Sequence, residues 1–519
     1  MSERIEIAVE KLHDEMLKLR QNKHMDFLRS LTGMDWGEEG LGVVYHLENT
    51  ETGENIVVST RNANREQPEI PTVCDIWKGA EFNEREAYDY FGIRFTGHPD
   101  MRRLFLRDDW VGHPLRKDYD ESLNPLRMTN EEPIDTTQYM EVQDDGSVIE
   151  KRQTIFEEDE YIINIGPQHP ATHGVLRFRV ALEGEIIHKL DVHCGYIHRG
   201  VEKMCESLTY PQTLALTDRL DYLGAHQNRH ALCMCIEKAM GVEVSERVQY
   251  IRTIMDELQR IDSHLLFFSC LCMDLGALTA FFYGFRDRER ILDIFEATTG
   301  GRLIQNYNTI GGVQADIAPD FAQKVKEFIA YLRPTLKEYH EVFTGNVIAQ
   351  QRMKEVGILT REDAISFGAT GGTGRASGWA CDVRKRHPYA MYGKVDFKEI
   401  VYTECDSFAR YMVRMDEIME SMSIIEQLID NIPEGEYQQK MKAIIRVPEG
   451  SYYAAVEGSR GEFGVYLESR GDKYPYRLKF RATGFPLVSA METMCRGAKI
   501  ADLIAIGGTV DYVVPDIDR

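Results

Sequence analysis

Positive charge is scarce in this chain of 519 residues. Its 61 lysines and arginines stand against 84 aspartates and glutamates, a formal net charge of −23. That balance argues against a nucleic-acid binder, because phosphate contacts require a basic surface. Cysteine is thin, ten residues with no secretory leader ahead of them, so free thiols in a reducing cytoplasm are expected rather than a disulfide framework. Long hydrophobic runs are lacking. Residues 265–285 come nearest to a membrane span, but Gly276 and Gly284 interrupt them. Asp274 would also cost ~2.5–3.5 kcal/mol at a span centre. A buried helix and turn is the expectation. Nucleotide-binding signatures are missing too. The glycine-rich stretch at 368–378, GATGGTGRASG, carries neither the Lys-Ser/Thr ending of a phosphate loop nor G-x-G-x-x-G after a strand. Its glycines are expected to permit close backbone approach, with Arg375 as an ion-pair partner.

There is ample apolar material for a large core, 43% hydrophobic and 10% aromatic residues. At ~150 residues per domain, about three units are expected. Ile5, Val9, Leu12, Met16 and Leu19 form a stripe that predicts an opening helix. Residues 42–47 and 54–60 read as a strand pair turning at Thr52-Gly53, and 83–90 as a short helix ended by Gly92. Residues 120–160 hold thirteen acidic and three basic residues, the composition of an extended linker. Strands are then expected at 161–165, 175–180 and 185–192. Helices follow at 244–273, 288–299, 321–343 with a bend at Pro334, and 398–429. Short strands return at 452–457, 464–468 and 476–480. The fold class is therefore α+β. A small α/β domain over 1–119 and the acidic linker over 120–160 precede a large, mainly helical domain with flanking small sheets over 161–519.

Few residues stand out for chemistry. Cys233/Cys235 and Cys270/Cys272 lie on helical stretches, where residues two apart point to different faces, so buried thiols are expected rather than ligands. The loop GPQHPATHG places His169 and His173 between prolines. Such histidines either cap and face solvent, or handle protons and ligands. Asp274, ending a long apolar helix, needs a backbone partner or else is a carboxylate tuned for proton transfer. Tyr222 adds a phenol beside Arg219 and Asp221.

These segments carry a resemblance. IGPQHPATHGVLRF, GYIHRGVEK, DRLDYLGAH, DLGALTAFFYGFRDRE, TGGTGRASG, DVRKRHPY, SRGEFGVYLESRG and DIDR resemble the D subunit of respiratory complex I over residues 161–519. EREAYDYFGIRFTGHPDMRRLF and DDWVGHPLRKDY resemble its C subunit over 1–119. The chain looks like a fused C–D subunit. The D subunit is similar in fold to the large subunit of nickel–iron hydrogenases, which hold their metals with two Cys-x-x-Cys pairs. Here the first region keeps only Cys194 and the second, VDYVVPDIDR, has no cysteine, so a hydrogenase-like catalytic subunit is the disfavoured alternative and no metal of its own is expected.

The resemblance implies a quinone reductase coupled to proton translocation, active in an assembled complex. It makes His173 and Tyr222 the quinone head-group donors and Asp274 the partner of His173, with His169, Thr172 and Gly174 supporting the loop. Arg199 and Arg219 match arginines near an iron–sulfur cluster held by a B-type subunit. An I-type ferredoxin subunit and an H-type membrane subunit are the other implied neighbours. Many family members place a histidine near that cluster where this chain has Ile304. Its loss should lower the cluster potential, which favours menaquinone over ubiquinone. The implied location is peripheral, on the cytoplasmic face of a bacterial membrane.

Overall fold

The computed structural model describes residues 3–124, 136–143, 148–156, 160–168, 174–442 and 444–519. The N-terminal region is built on an antiparallel meander, Phe27–Asp35, Leu41–Glu48 and Asn55–Asn62. Glu3–Glu6 joins its edge in parallel, with Ile5 opposite Val58. The expected opening helix therefore starts later, at Leu12–Asn22, and buries Leu12, Met16 and Leu19. The reason is local: residues 4–7 alternate charged and apolar side chains, the period of a strand rather than a helix. A second helix, Ala80–Phe91, ends where Gly92 turns left-handed (φ 72°) and its N–H reaches the Tyr88 carbonyl at 2.7 Å.

The acidic stretch is more than an extended connection. It contains a hairpin, Thr136–Val142 against Val148–Thr154. The Gly97 N–H donates to the Met140 carbonyl at 2.8 Å, pinning the hairpin to the N-terminal region. Ile155 and Phe156 are buried against Ala181 of the next sheet.

That sheet orders Ile186–His193, Leu176–Glu183 and Tyr161–Gln168. The helices that follow form the second core. Glu246–Asp274 is the longest, capped by the Ser245 hydroxyl, which accepts from the Val248 N–H. Gly276 (φ 84°) breaks the chain before Leu278–Thr299 begins, so the span-like stretch is a helix, a turn and a second helix. No helix among the described residues is long and apolar enough to cross a membrane. Phe321–Tyr339 continues through Pro334 and then widens into a π turn at His340–Thr344. The last long helix begins at Ser407, not at 398, because the Asp406 carboxylate caps it by accepting from the Ala409 N–H. A three-stranded sheet, Gly450–Gly458, Gly461–Ser469 and Arg477–Arg481, completes the region.

The glycine-rich segment forms a short helix, Gly371–Ala376, pressed against this sheet. A Cβ on Gly371 would stand 2.3 Å from the Arg460 carbonyl oxygen, so only glycine fits. Arg375 is buried and paired with Glu457 (2.6 Å) and Glu417 (3.0 Å). The two regions share one hydrophobic core. Phe27 packs edge-on to Trp379, and Phe82 and Phe105 lie against Phe485. Ion pairs cross the same boundary: Arg29 to Glu462 at 2.7 Å, Arg519 to Glu86 at 3.2 Å, and Lys479 to Glu86.

Candidate functional site

The Glu246–Asp274 helix treats its acidic groups in two ways. In its middle, Asp256 accepts the Nδ1–H bonds of His226 (2.8 Å) and His230 (2.7 Å), Glu257 meets Arg384 at 3.1 Å, and Asp262 meets Arg288 at 2.9 Å. At its end, the half-buried Asp274 side chain has no hydrogen-bond partner among the described residues. Burial alone raises its carboxyl to about 6. The helix C-terminus is also the negative end of the dipole, where a carboxylate is disfavoured. Asp274 lines a cavity of about 10 Å³ with Cys270, Leu271, Gly508 and Asp511, room for one water at most.

Cys270 stands one turn before Asp274 on the same face. It packs with Tyr222 and Phe285 against Leu223, Leu266 and Val513. Tyr222 comes from the turn between Tyr210–Thr217 and Ala225–Met240. That turn is fixed by Asp221, whose carboxylate accepts from the Leu223 N–H at 3.0 Å while its carbonyl accepts from Asn228 Nδ2, also at 3.0 Å. The Tyr222 phenol has no hydrogen-bond partner among the described residues. Burial pushes it up to about 12, and Arg460 is the leading group pulling the other way. The structure thus gathers Tyr222, Cys270 and Asp274 onto one mainly apolar wall, with two polar tips left open.

His169, Thr172 and His173 lie outside the described residues. Gly174, the residue after His173, is buried against this wall. A Cβ there would stand 2.6 Å from Val514 Cβ, next to Val513, and φ is 141°. Arg199 and Arg219 come together on the surface, and the Arg199 guanidinium donates to the Arg219 carbonyl at 2.8 Å. Neither forms a salt bridge among the described residues, and Arg219 stabilises the adjacent Asp218 carboxylate. Cys194 is a single thiol whose pKa burial drives well up. The segment after it is held by Asp518, which accepts from the Gly195 (2.9 Å) and Ile197 (3.0 Å) N–H groups. Around the Asp274 turn, Leu278 and Phe282 are 59% and 63% exposed, and Ile504 is exposed on the helix that supplies Gly508.

Sequence reasoning missed three participants. Arg460 and Asp511 are buried in the wall behind Tyr222 and Asp274; Arg460 sits in SRGEF, a segment that carried the resemblance, and Asp511 just ahead of the final DIDR, but nothing in the sequence pairs them. Cys270 was legible only from its one-turn spacing to Asp274. A further convergence, Cys74, Glu84 and His98, has metal-ligand chemistry, with ligand atoms all within 4.8 Å of one another. It is closed by its own hydrogen bonds. Asp100 N–H donates to His98 Nδ1 (2.9 Å), leaving the proton on Nε2, which faces the Glu81 carbonyl (3.1 Å), and Glu84 takes donors from Thr72 and Val73.

Comparison with known proteins identifies both halves. Residues 5–124 match the family described as respiratory-chain NADH dehydrogenase, 30 Kd subunit, and residues 274–519 match its 49 Kd subunit. The chain is 91% identical to the fused C/D subunit of NADH-quinone oxidoreductase from Phocaeicola vulgatus over the full length of both. It is 75% identical to that of Bacteroides thetaiotaomicron, over 98% of each chain. Against the separate D subunit of NADH-quinone oxidoreductase from Desulfotalea psychrophila it is 46% identical, over 70% of this chain and 98% of the other. The chain belongs to the fused C/D subunits of NADH-quinone oxidoreductase, the oxidoreductase of the respiratory chain known as complex I.

Proposed function

We propose that the wall carrying Tyr222, Cys270 and Asp274 is one side of the quinone head-group site. The observation that carries this reading is the pair of unpartnered polar side chains, Tyr222 and Asp274, held over apolar surface by one helix and one turn. Reducing a quinone takes two electrons and two protons, and each carbonyl oxygen needs a donor as negative charge develops on it. The Tyr222 O–H is free to donate to one oxygen. His173, the residue before the Gly174 that touches the same wall, serves the other. Asp274 partners His173, and the loss of a proton from that histidine disturbs the pair. That charge change is the trigger for proton translocation in the membrane arm.

The electrons arrive from an iron–sulfur cluster on a B-type neighbour, and the exposed Arg199 and Arg219 form the docking face suited to that anionic group. The exposed Leu278, Phe282 and Ile504 beside the site suit an apolar contact with an H-type membrane subunit, on the cytoplasmic face of the membrane; an I-type ferredoxin subunit completes the electron path. Ile304, without a titratable nitrogen, leaves the cluster at low potential and favours menaquinone as acceptor. The D-like region takes a hydrogenase large-subunit-like fold, but a hydrogenase reaction would need two thiolate pairs where Cys194 stands single.

The test is reoxidation of the chemically reduced cluster by quinone in the purified complex. Tyr222→Phe should leave cluster reduction intact and lower quinone turnover by about 10²-fold, the scale of a lost proton donor. Unchanged turnover would remove Tyr222 from the site. Asp274→Asn should uncouple pumping from whatever turnover remains, and intact stoichiometry would sink the trigger.

A further inference from the structure

Arg460 has no role in the chemistry described above, yet it bonds residues beside both groups that do, Asp221 next to Tyr222 and Asp511 in the Asp274 cavity. It projects from the turn between two strands of the C-terminal sheet and is fully buried. Its Nη1 donates to both Asp221 oxygens (3.2 and 3.0 Å) and to Ser263 Oγ (3.0 Å), and its Nη2 donates to Asp511 Oδ1 (3.2 Å). Asp221 immediately precedes Tyr222. Asp511 lines the Asp274 cavity and sits at φ 60° as the left-handed cap that ends the helix Asp502–Val510. Ser263 belongs to the helix that ends at Asp274. One planar guanidinium therefore bonds at once to three pieces of the wall that also pack together through Leu223, Leu266 and Val513: the Tyr222 turn, the Asp274 helix and the Asp511 turn.

We propose that Arg460 is a positioning residue for quinone reduction, fixing the Tyr222 phenol relative to the Asp274 end of the wall by holding Asp221, Ser263 and Asp511 at once. The proposal rests on the quinone-site reading above. Arginine suits the task because its fork meets several acceptors at set angles, which a lysine ammonium, a point charge on a flexible stem, does not. Displacing a donor by about 1 Å costs on the order of 10²-fold in rate. The effect of Arg460 should therefore run through Tyr222 and not merely through stability.

The experiment uses the assembled complex, chemically reduced, with menadione and ubiquinone-1 as acceptors. Cluster content per complex reports assembly; the limiting rate and half-saturation of cluster reoxidation report the site. Arg460→Met should lower the limiting rate by about tenfold to a hundredfold with cluster content unchanged. Arg460→Lys should recover part of that loss. In a Tyr222→Phe background, Arg460→Met should add little, because its partner in the effect is already gone. Wild-type kinetics in Arg460→Met, or a full additional loss in the double variant, would overturn the proposal. If Arg460→Met does not assemble, Arg460→Lys decides alone: wild-type rate and half-saturation reject positioning, and an altered ratio of the two supports it. A Tyr222→Phe complex with normal turnover points instead to failure of the underlying site assignment.

Discussion

Asp262 and Asp274 lie on the same helix, and burial raises both to about 6, yet they live differently. Asp262 is sealed in the interior against Arg288. Asp274 has no cation partner among the described residues. The pattern extends to the whole molecule. Around Glu257, Glu417, Asp382 and Glu457 the core is filled with paired arginines, Arg260, Arg375 and Arg384, whereas at the Tyr222 wall the polar tips are left open. A buried charge that is fully paired holds shape. An unpaired polar group costs stability and persists where it serves a ligand or a proton.

The sharpest break of that contrast is Arg384→Met. It removes the cation that Asp382, Glu257 and Glu417 share, met at 2.6, 3.1 and 2.6 Å, and leaves Glu257 only Arg260 and Glu417 only Arg375 among the buried arginines. A loss of about 3–5 kcal/mol is expected, read as a large fall in the denaturation midpoint. Asp274→Asn should act with the opposite sign. Folding raises this carboxyl, so its contribution is fully present below the unfolded range near ~3.9 and is lost as pH climbs through about 6. The asparagine variant should therefore melt above the parent chain at pH ~7 and higher, with the gap closing below pH ~4. Equal melting curves at all pH values would show that Asp274 is compensated after all.

Glu84 in the N-terminal region offers a milder version. Burial lifts it to about 8, and backbone and hydroxyl donors satisfy it. Glu84→Gln gives up one acceptor oxygen, which offsets part of its gain; it should rise relative to the parent from the unfolded range near ~4.3 up to about pH 8 and level off above that. The smallest effect belongs to Gly508→Ala. Its new methyl would stand 3.4 Å from Asp274 Oδ2 and 3.2 Å from Leu271 Cδ1. Stability should change by less than about 1 kcal/mol. The upper end of the pH range over which the Asp274 contribution is lost should move upward, as the carboxyl loses what water it has.

Much of this was legible from residues close in sequence. The long helix, its apolar face and the exceptional Asp274 follow from spacing and composition, and the motif segments pointed to Tyr222 and to the arginine pair. The opening strand was missed because Ile5 fits a helical stripe as well as an alternating edge, and only its partner, Val58, decides between them. The hairpin in the acidic stretch was hidden because its strands carry little apolar alternation and borrow their stability from Gly97 and its neighbours. Arg460 was invisible for a stronger reason. Asp221 lies 239 residues away in the chain, and no local pattern reports a contact at that separation.

The shared core between the N-terminal region and the rest has a genetic consequence. In Desulfotalea psychrophila the relative is a D subunit alone. In this chain the peptide link guarantees equal numbers of the two halves, but their fit comes from Phe27 on Trp379, Phe82 on Phe485 and Glu86 between Lys479 and Arg519. A single nick in the acidic connection should thus leave one particle rather than two. Gene fusion settles the dosage; the interface already knew the partner.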